Sequence, residues 1–399
     1  MKQGNRGLAA YGTTIFEVMS GLAREHGAIN LGQGFPEGNG PDDVRIAAAR
    51  ALEDGPNQYP PMMGLPALRA AVADHARRFY QLDVDQREVM VTSGATEALA
   101  ACLLGLLEPG DEAVLLEPLY DSYLPIVERA GAVGRRVRLD PPHWRVDLRA
   151  LAAAFSERTK LIVVNSPMNP TGAVFTGDEL AGIAELVVAH DAYAVCDEVY
   201  EHLVFDGRRH QPLMALPGMR ARTARIGSAG KTFSLTGWKV GYVTAAAEML
   251  APIARAHQFL TFTTPPNLQA AVALGLAKPD DYFAGLAADM QAGRDRLRAG
   301  LERLGFAVAD CHGTYFLTVD VRSIGFAGSD LDFCKAITRE ARVAAIPYSA
   351  FYVDDPPEGQ VRFAFCKPAA MLDEAIARLG AWLGRRRAVG VSGGSPTTT

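Results

Sequence analysis

The sequence predicts an α/β protein, with a large domain built on a mostly parallel sheet covered by helices and a smaller α+β domain after it. Three observations predict this. From about Val89, short β-rich runs alternate with longer amphipathic stretches, as in repeated βα units. Runs such as "LIVV" (Leu161–Val164) are apolar at every position, which suits strands buried on both faces. After about Asp280 the order changes to one long amphipathic stretch, then short strands with helical stretches between and after.

The first 40 residues lack a strong pattern, and we read 1–45 as a segment packing on the smaller domain. The large domain is expected over 46–282. Its strands fall in "EVMVTSG", "DEAVLLEP", "KLIVVNSP", "AYAVCDE" and "TARIGSAG". Its helices include "ATEALAACLLGLL", "DSYLPIVERAG" and "GDELAGIAELVVAH". Parallel strands joined through helices imply right-handed crossovers. The smaller domain, 283–388, opens with the stretch that reaches Leu304 and holds strands in "TYFLTVD", "RVAAIP" and "VRFAFCK". The tail 389–399, ending in "GVSGGSPTTT", is expected to be disordered.

Composition narrows the function. The 399 residues are 49% apolar and 21% charged, with a net charge of −5, the balance of a soluble protein with a large core. A nucleic-acid binder would show a basic balance, and the run Arg385–Arg387 reads as a solvated helix end. Five scattered cysteines without a C-x-x-C pair, and eight histidines without metal-ligand spacing, argue against a disulfide framework or a zinc site. No apolar run approaches the roughly 18 residues of a membrane span, and "MKQGNRGLAAYG" holds no apolar signal region. The expectation is a reduced, cytoplasmic enzyme with no metal, nucleic-acid partner or membrane.

In an open α/β sheet, ligands bind at the carboxyl ends of strands. After "EVMV" come Thr92, Ser93, Gly94, Ala95 and Thr96, entering a helix. After "LIVV" come Asn165 and Asn169; "AYAVC" ends at Asp197, with Tyr200 three residues on; after "ARIG" come Ser228 and Lys231. Each signal has a plain structural explanation. Thr or Ser caps helices routinely, a carboxylate at a sheet rim is common, and a lone lysine is usually on the surface. Together they deliver a possible anion cradle at Gly94, a carboxylate, a phenol and an amine to one edge. Those are the groups that pyridoxal phosphate (PLP) needs.

The lysines sharpen this. "IGSAGKTFSLTGWKVGY" (Ile226–Tyr242) holds two of only seven lysines in a chain with 33 arginines. A primary amine forms a Schiff base with the cofactor aldehyde, and a guanidinium does not. An arginine-rich chain must still carry lysine at that point.

These residues resemble the class I PLP-dependent aminotransferases (fold type I), in the branch of kynurenine aminotransferases, cysteine-conjugate β-lyases and N-succinyldiaminopimelate aminotransferases. The likeness runs from about Ile29 to about Lys367. It rests on "NQYPPMMG", "VTSGATEA", "EPLYDSY", "SPMNPTGAVF", "CDEVYEHLVFDG" and "SAGKTFSLTGWKVG" in order. The resemblance implies that Lys231 bonds the cofactor and serves as the base, that Asp197 pairs with the ring nitrogen, and that Tyr200 and Asn169 bond the ring hydroxyl oxygen. It implies that Tyr120 stacks on the ring, and that Gly94, Ala95, Thr96, Ser228 and Lys239 hold the phosphate. Tyr59 would reach that phosphate from a neighbouring subunit, which implies a homodimer with shared active sites. Arg362 would clamp the substrate carboxylate, with Gly34, Phe16 and Asn169 at the same end of the pocket. The resemblance also implies cis bonds at Glu117–Pro118 and Asn169–Pro170.

The implied reaction is transfer of an amino group between an amino acid and a 2-oxo acid by a ping-pong cycle. The alternatives are β-elimination from cysteine conjugates and N-succinyldiaminopimelate specificity. Thr96 and Phe16 differ from the aromatic residues of kynurenine aminotransferases, and Met168 replaces a polar residue common before the Asn-Pro pair; these suit the succinyldiaminopimelate enzymes as well. A regulator with an aminotransferase-like domain would carry a DNA-binding module, and none is visible before Ile29. A dinucleotide enzyme would show G-x-G-x-x-G after its first strand, which this sequence lacks.

Overall fold

The chain is described by a computed structural model over residues 2, 4, 5, 9 and 11–392. In chain order the first strands are β1 (Ile29–Asn30), β2 (Val89–Thr92), β3 (Glu112–Glu117), β4 (Val133–Arg138), β5 (Thr159–Asn165), β6 (Tyr193–Asp197), β7 (Thr223–Ser228) and β8 (Gly241–Thr244). Then follow β9 (Ala307–Val308), β10 (Phe316–Asp320), β11 (Val343–Ala344), β12 (Ile346–Pro347) and β13 (Gln360–Ala364).

The central sheet has the order β2-β8-β7-β6-β5-β3-β4. All its pairings are parallel except the two made by β8. The run Leu161–Val164 in β5 is wholly buried, as its continuous apolar sequence requires. Helices Ala95–Leu106 and Ala247–Leu260 pack on each other beside the sheet, Pro66–Tyr80 covers β2, and Tyr123–Arg129 and Leu148–Ala154 cover β4. A reciprocal capping box between Thr176 and Glu179 starts the helix after β5 and ends the loop that carries Asn169.

Two strands of this sheet escaped the sequence pattern. β4 is the edge strand "VGRRVR", and its arginines pair with Glu112, Asp354 and Asp140. Charge on an edge strand discourages further pairing but hides the strand from an apolar search. β8 is a four-residue strand in a glycine-rich stretch.

The antiparallel sheet β12-β13-β10-β9 forms the second layer system. Arg362 lies in β13, between Thr318 of β10 and Ile346 of β12, so neighbours hold its backbone on both sides. Helix Asp280–Arg303 runs unbroken from the central sheet toward β9 and packs on helix Ala369–Ser392. The latter helix runs to Ser392, four residues into the segment read as a tail; "RRRAVGVS" carries no proline to stop it. Residues 393–399, and part of the segment 1–45, lie outside the described residues. Helix Ile15–His26 packs against β11 and helix Asp330–Ala336, and β1 pairs in parallel with β11.

Glu117–Pro118 and Asn169–Pro170 are cis, as are Pro141–Pro142 and Ser166–Pro167. Among the described residues no helix is long and apolar enough to cross a membrane.

Candidate active site

The carboxyl ends of β2, β5, β6 and β7 meet around a cavity of about 340 Å³. Gly94, Ala95, Thr96, Tyr120, Asn169, Asp197, Tyr200, Ser228, Lys231, Lys239, Gly34, Phe16 and Arg362 all line it. Tyr59 does not. It is 84% exposed, and its ring stands edge-on to Phe262 at 5.7 Å.

At one end, Gly94 opens the helix Ala95–Leu106 with φ +82° and ψ 173°, and no side chain caps that helix. Its first-turn N–H groups lack a side-chain cap, and Ala95 and Thr96 border the cavity, an arrangement that can accept an anion. A methyl group on Gly94 would stand 3.3 Å from Lys239 Nζ, so a side chain there would crowd the lysine that lies beside the turn. Thr92 Oγ1 donates to Gly94 O, and Ser93 N donates to Glu97 Oε2, which hold the turn in shape.

At the floor, Asp197 is buried at the end of β6. Its Oδ2 accepts from Tyr123 Oη at 2.6 Å, while its Oδ1 is buried without a hydrogen-bond partner. Burial pushes the Asp197 carboxyl above its usual range, and the Tyr123 bond and the charge on Lys231 pull the other way. Asn165 ties the strands beneath: its Nδ2 donates to Asp197 O and its Oδ1 accepts from Asn169 N.

Lys231 follows β7 on the short turn Ala229–Thr232. Its Nζ donates to Tyr315 Oη at 2.7 Å. Burial lowers its pKa to about 8, opposed by charges on Cys366 and Asp197 and aided by Arg362 and Lys239. Burial likewise raises the Tyr200 phenol far beyond its ordinary value.

At the far end, Arg362 is 1% exposed. Nη1 donates to Asn169 Oδ1 at 2.8 Å and Nη2 to Gly32 O at 2.7 Å, while Nε has no partner. The guanidinium lies 3.8 Å from the centre of the Phe316 ring. Burial lowers its pKa to about 10. A buried cation with carbonyl partners and no carboxylate can take one.

Tyr123 and Tyr315 were missed in the sequence. "EPLYDSY" drew attention to Tyr120, and "TYFLTVD" read only as a strand. Another group lies behind the site. Arg225 on β7 donates to Glu198 and Glu201, and His210 bonds Glu198 at 2.9 Å. The fold also brings together His75, Glu201 and His202, whose spacing gave no metal signal; their ligand atoms lie within 4.8 Å of one another. The two rings bond each other at 2.7 Å, and Glu201 is committed to Arg225 and Tyr242. A guanidinium there disfavours a metal cation.

Comparison with known proteins gives a consistent picture. The family model described as aminotransferase class I and II matches residues 26–379. The solved N-succinyldiaminopimelate aminotransferase of Mycobacterium tuberculosis is 48% identical, with a TM-score of 0.92 over 95% of this chain and 100% of that one. The methionine aminotransferase of Escherichia coli is 40% identical over 93% of this chain and 96% of its own. A kynurenine–oxoglutarate transaminase of Dictyostelium discoideum is 37% identical over 92% and 93%.

Proposed function

The chain belongs to the class I and II aminotransferase family, and from that premise we propose that its cavity holds PLP on Lys231 and prefers amino donors with uncharged side chains to aspartate. The family is PLP-dependent, and the residues fit that group. The observation that carries the reading is Asp197 Oδ1, a buried carboxylate oxygen without a partner. A protonated ring nitrogen is the donor it lacks. The uncapped turn at Gly94 with Lys239 over it suits a phosphate.

When bound, the cofactor supplies an electron sink for the substrate carbon that loses its proton. The chain does the rest. Asp197 holds the proton on the ring nitrogen. Lys231 Nζ takes the substrate Cα proton, and a pKa of about 8 keeps a neutral amine accessible near neutral pH. Asn169 has committed Oδ1 to Arg362, so its Nδ2 is left to donate to the ring hydroxyl oxygen beside Tyr200. Tyr120 covers the ring face. Ser228, Lys239 and the N–H groups of Ala95 and Thr96 hold the phosphate. Arg362 takes the α-carboxylate, beside Gly34 and Phe16. Tyr59 serves the phosphate of the other subunit in a homodimer.

The specificity follows from charge. Among the described residues, the cations lining the cavity are Lys231, Lys239 and Arg362, each already assigned. None of these three is left for a side-chain carboxylate, while Phe16, Tyr120 and Phe316 offer aromatic surface. Methionine-, glutamine- or phenylalanine-like donors should outperform aspartate. A second reading, N-succinyldiaminopimelate, is supported by the 48% identity to the mycobacterial enzyme.

A stopped-flow screen of amino donors, following loss of the cofactor's visible absorbance, separates these readings. Aspartate as best donor by tenfold (about 1.4 kcal/mol) would overturn the preference for uncharged side chains. Borohydride reduction with peptide mapping tests the cofactor lysine, and a label on Lys239 instead of Lys231 would sink that assignment.

A further inference from the structure

Tyr315 stands just before β10 and is buried. Its hydroxyl accepts from Lys231 Nζ at 2.7 Å and donates to Gly34 O at 2.5 Å. A phenol has one proton. With that proton on Gly34 O, the oxygen can only accept from the lysine. The ring is fixed edge-on to Tyr200 at 5.1 Å and to Phe316 at 4.8 Å. A methyl group on Gly34 would stand 2.9 Å from Tyr315 Cε2 and 2.5 Å from Phe316 Cζ, so glycine is what lets the carbonyl reach the hydroxyl. The same stretch takes Arg362 on Gly32 O.

We infer that Tyr315 is a positioning residue for amino transfer: its hydroxyl docks the Lys231 amine whenever that amine is not bonded to the cofactor, and ties it to the Gly34 carbonyl. The inference rests on the role proposed for Lys231 above. A hydrogen bond from an ammonium to this oxygen is stronger than one from a neutral amine. The hydroxyl therefore favours the protonated amine and opposes the effect of burial. Without it, a four-carbon side chain regains rotamer freedom, and the amine reaches the substrate carbon less often.

Tyr315→Phe removes the oxygen and keeps the ring contacts. Full-length holoenzyme would be compared in its resting form and after conversion to the amine form with excess amino donor. Each is pulsed with acetic anhydride across a pH series, and acetylation of the Lys231 peptide is read by mass spectrometry. In the wild type, Lys231 is protected in the resting form and reactive in the amine form. In Tyr315→Phe the midpoint of that reactivity falls by about half a unit to one unit. The donor half-reaction slows about tenfold in its maximal rate with little change in donor KM. Tyr315→Leu, which also removes the ring, should show the same midpoint shift if the hydroxyl is responsible. An unchanged midpoint and rate in folded Tyr315→Phe would overturn the inference and leave the role of Lys231 standing. Equal labelling of wild-type Lys231 in both forms would overturn both.

Discussion

Tyr123 donates its hydroxyl proton to one oxygen of Asp197 and leaves the other bare. The phenol comes from the helix after β3 and the carboxylate from the end of β6, so the bond crosses the sheet edge. It fixes which way the carboxylate points and favours its charged form. Tyr123→Phe should weaken PLP retention and slow the donor half-reaction by roughly tenfold, about 1.4 kcal/mol. Stopped-flow rates and a cofactor titration check this; native values for both would remove Tyr123 from the site.

Asp197→Asn should separate stability from catalysis. Turnover should drop by about 10³-fold, roughly 4 kcal/mol. The cofactor-free protein should behave oppositely. Asp197 has a raised pKa when folded, so the folded chain binds its proton more tightly than the unfolded chain. Stability is then lost as pH rises through that window and stays lower above it. The Asn variant lacks this cost, and at neutral pH it should melt at a higher temperature than the wild type when both are free of cofactor. Near-native turnover would refute the electron-sink role.

Lys231 predicts the reverse slope. Its folded pKa is depressed to about 8 from an ordinary value of 10.5. Below about 8 the folded state bears a buried ammonium, and that cost is relieved as pH climbs toward the unfolded value. The cofactor-free wild type should therefore gain stability relative to Lys231→Met below pH 10.5 as pH rises from about 8. Melting curves of the pair at several pH values test it, and parallel curves would contradict the assigned burial.

Arg362→Lys keeps the charge but loses the planar fork that serves Asn169, Gly32 and a carboxylate together. The KM for amino donors should rise about 100-fold, roughly 2.7 kcal/mol. Binding of PLP, measured by absorbance, should hardly change. If donor KM stays put, the α-carboxylate binds elsewhere.

Tyr59 tests the shared site. The proposed homodimer should sediment as one species at micromolar concentration. Tyr59→Ala and Lys231→Ala are each expected to be weak or inactive. Mixed after dissociation, they should regain roughly a quarter of the native sites, as random pairing in a two-fold dimer dictates. No recovery, or a fully active monomer, would count against a site built from two chains.

Much of this was legible in sequence because parallel strands end at one edge. That rule alone brought Gly94, Asn169, Asp197, Ser228 and Lys231 to one place. Arg362 came from the family resemblance, since nothing in "VRFAFCK" distinguishes a buried receptor from an ordinary strand arginine. Tyr123 and Tyr315 act through contacts 74 and 84 residues away along the chain, which no local pattern encodes. Arg225, Glu198 and Glu201 are charged yet buried. Charge normally implies exposure, and their mutual pairing exists only once β6 and β7 are in register.

The direction of β8 has a consequence of its own. A parallel strand offers the edge whatever follows it, but β8 runs the other way and offers what precedes it. Ser228 and Gly241 are ladder partners, and Ala229 N donates to Val240 O, so backbone pairing brings the stretch around Lys239 back beside Ser228. The turn between them is not slack: Phe233 and Leu235 are buried, and Leu235 N donates to Gly230 O. A residue added within the turn, or a single-residue slip of the ladder, would shift Lys239 against Ser228 and pull Phe233 from the core. Variation in this protein's lineage should accordingly be sparing both in the length of that turn and in the pairing at its base.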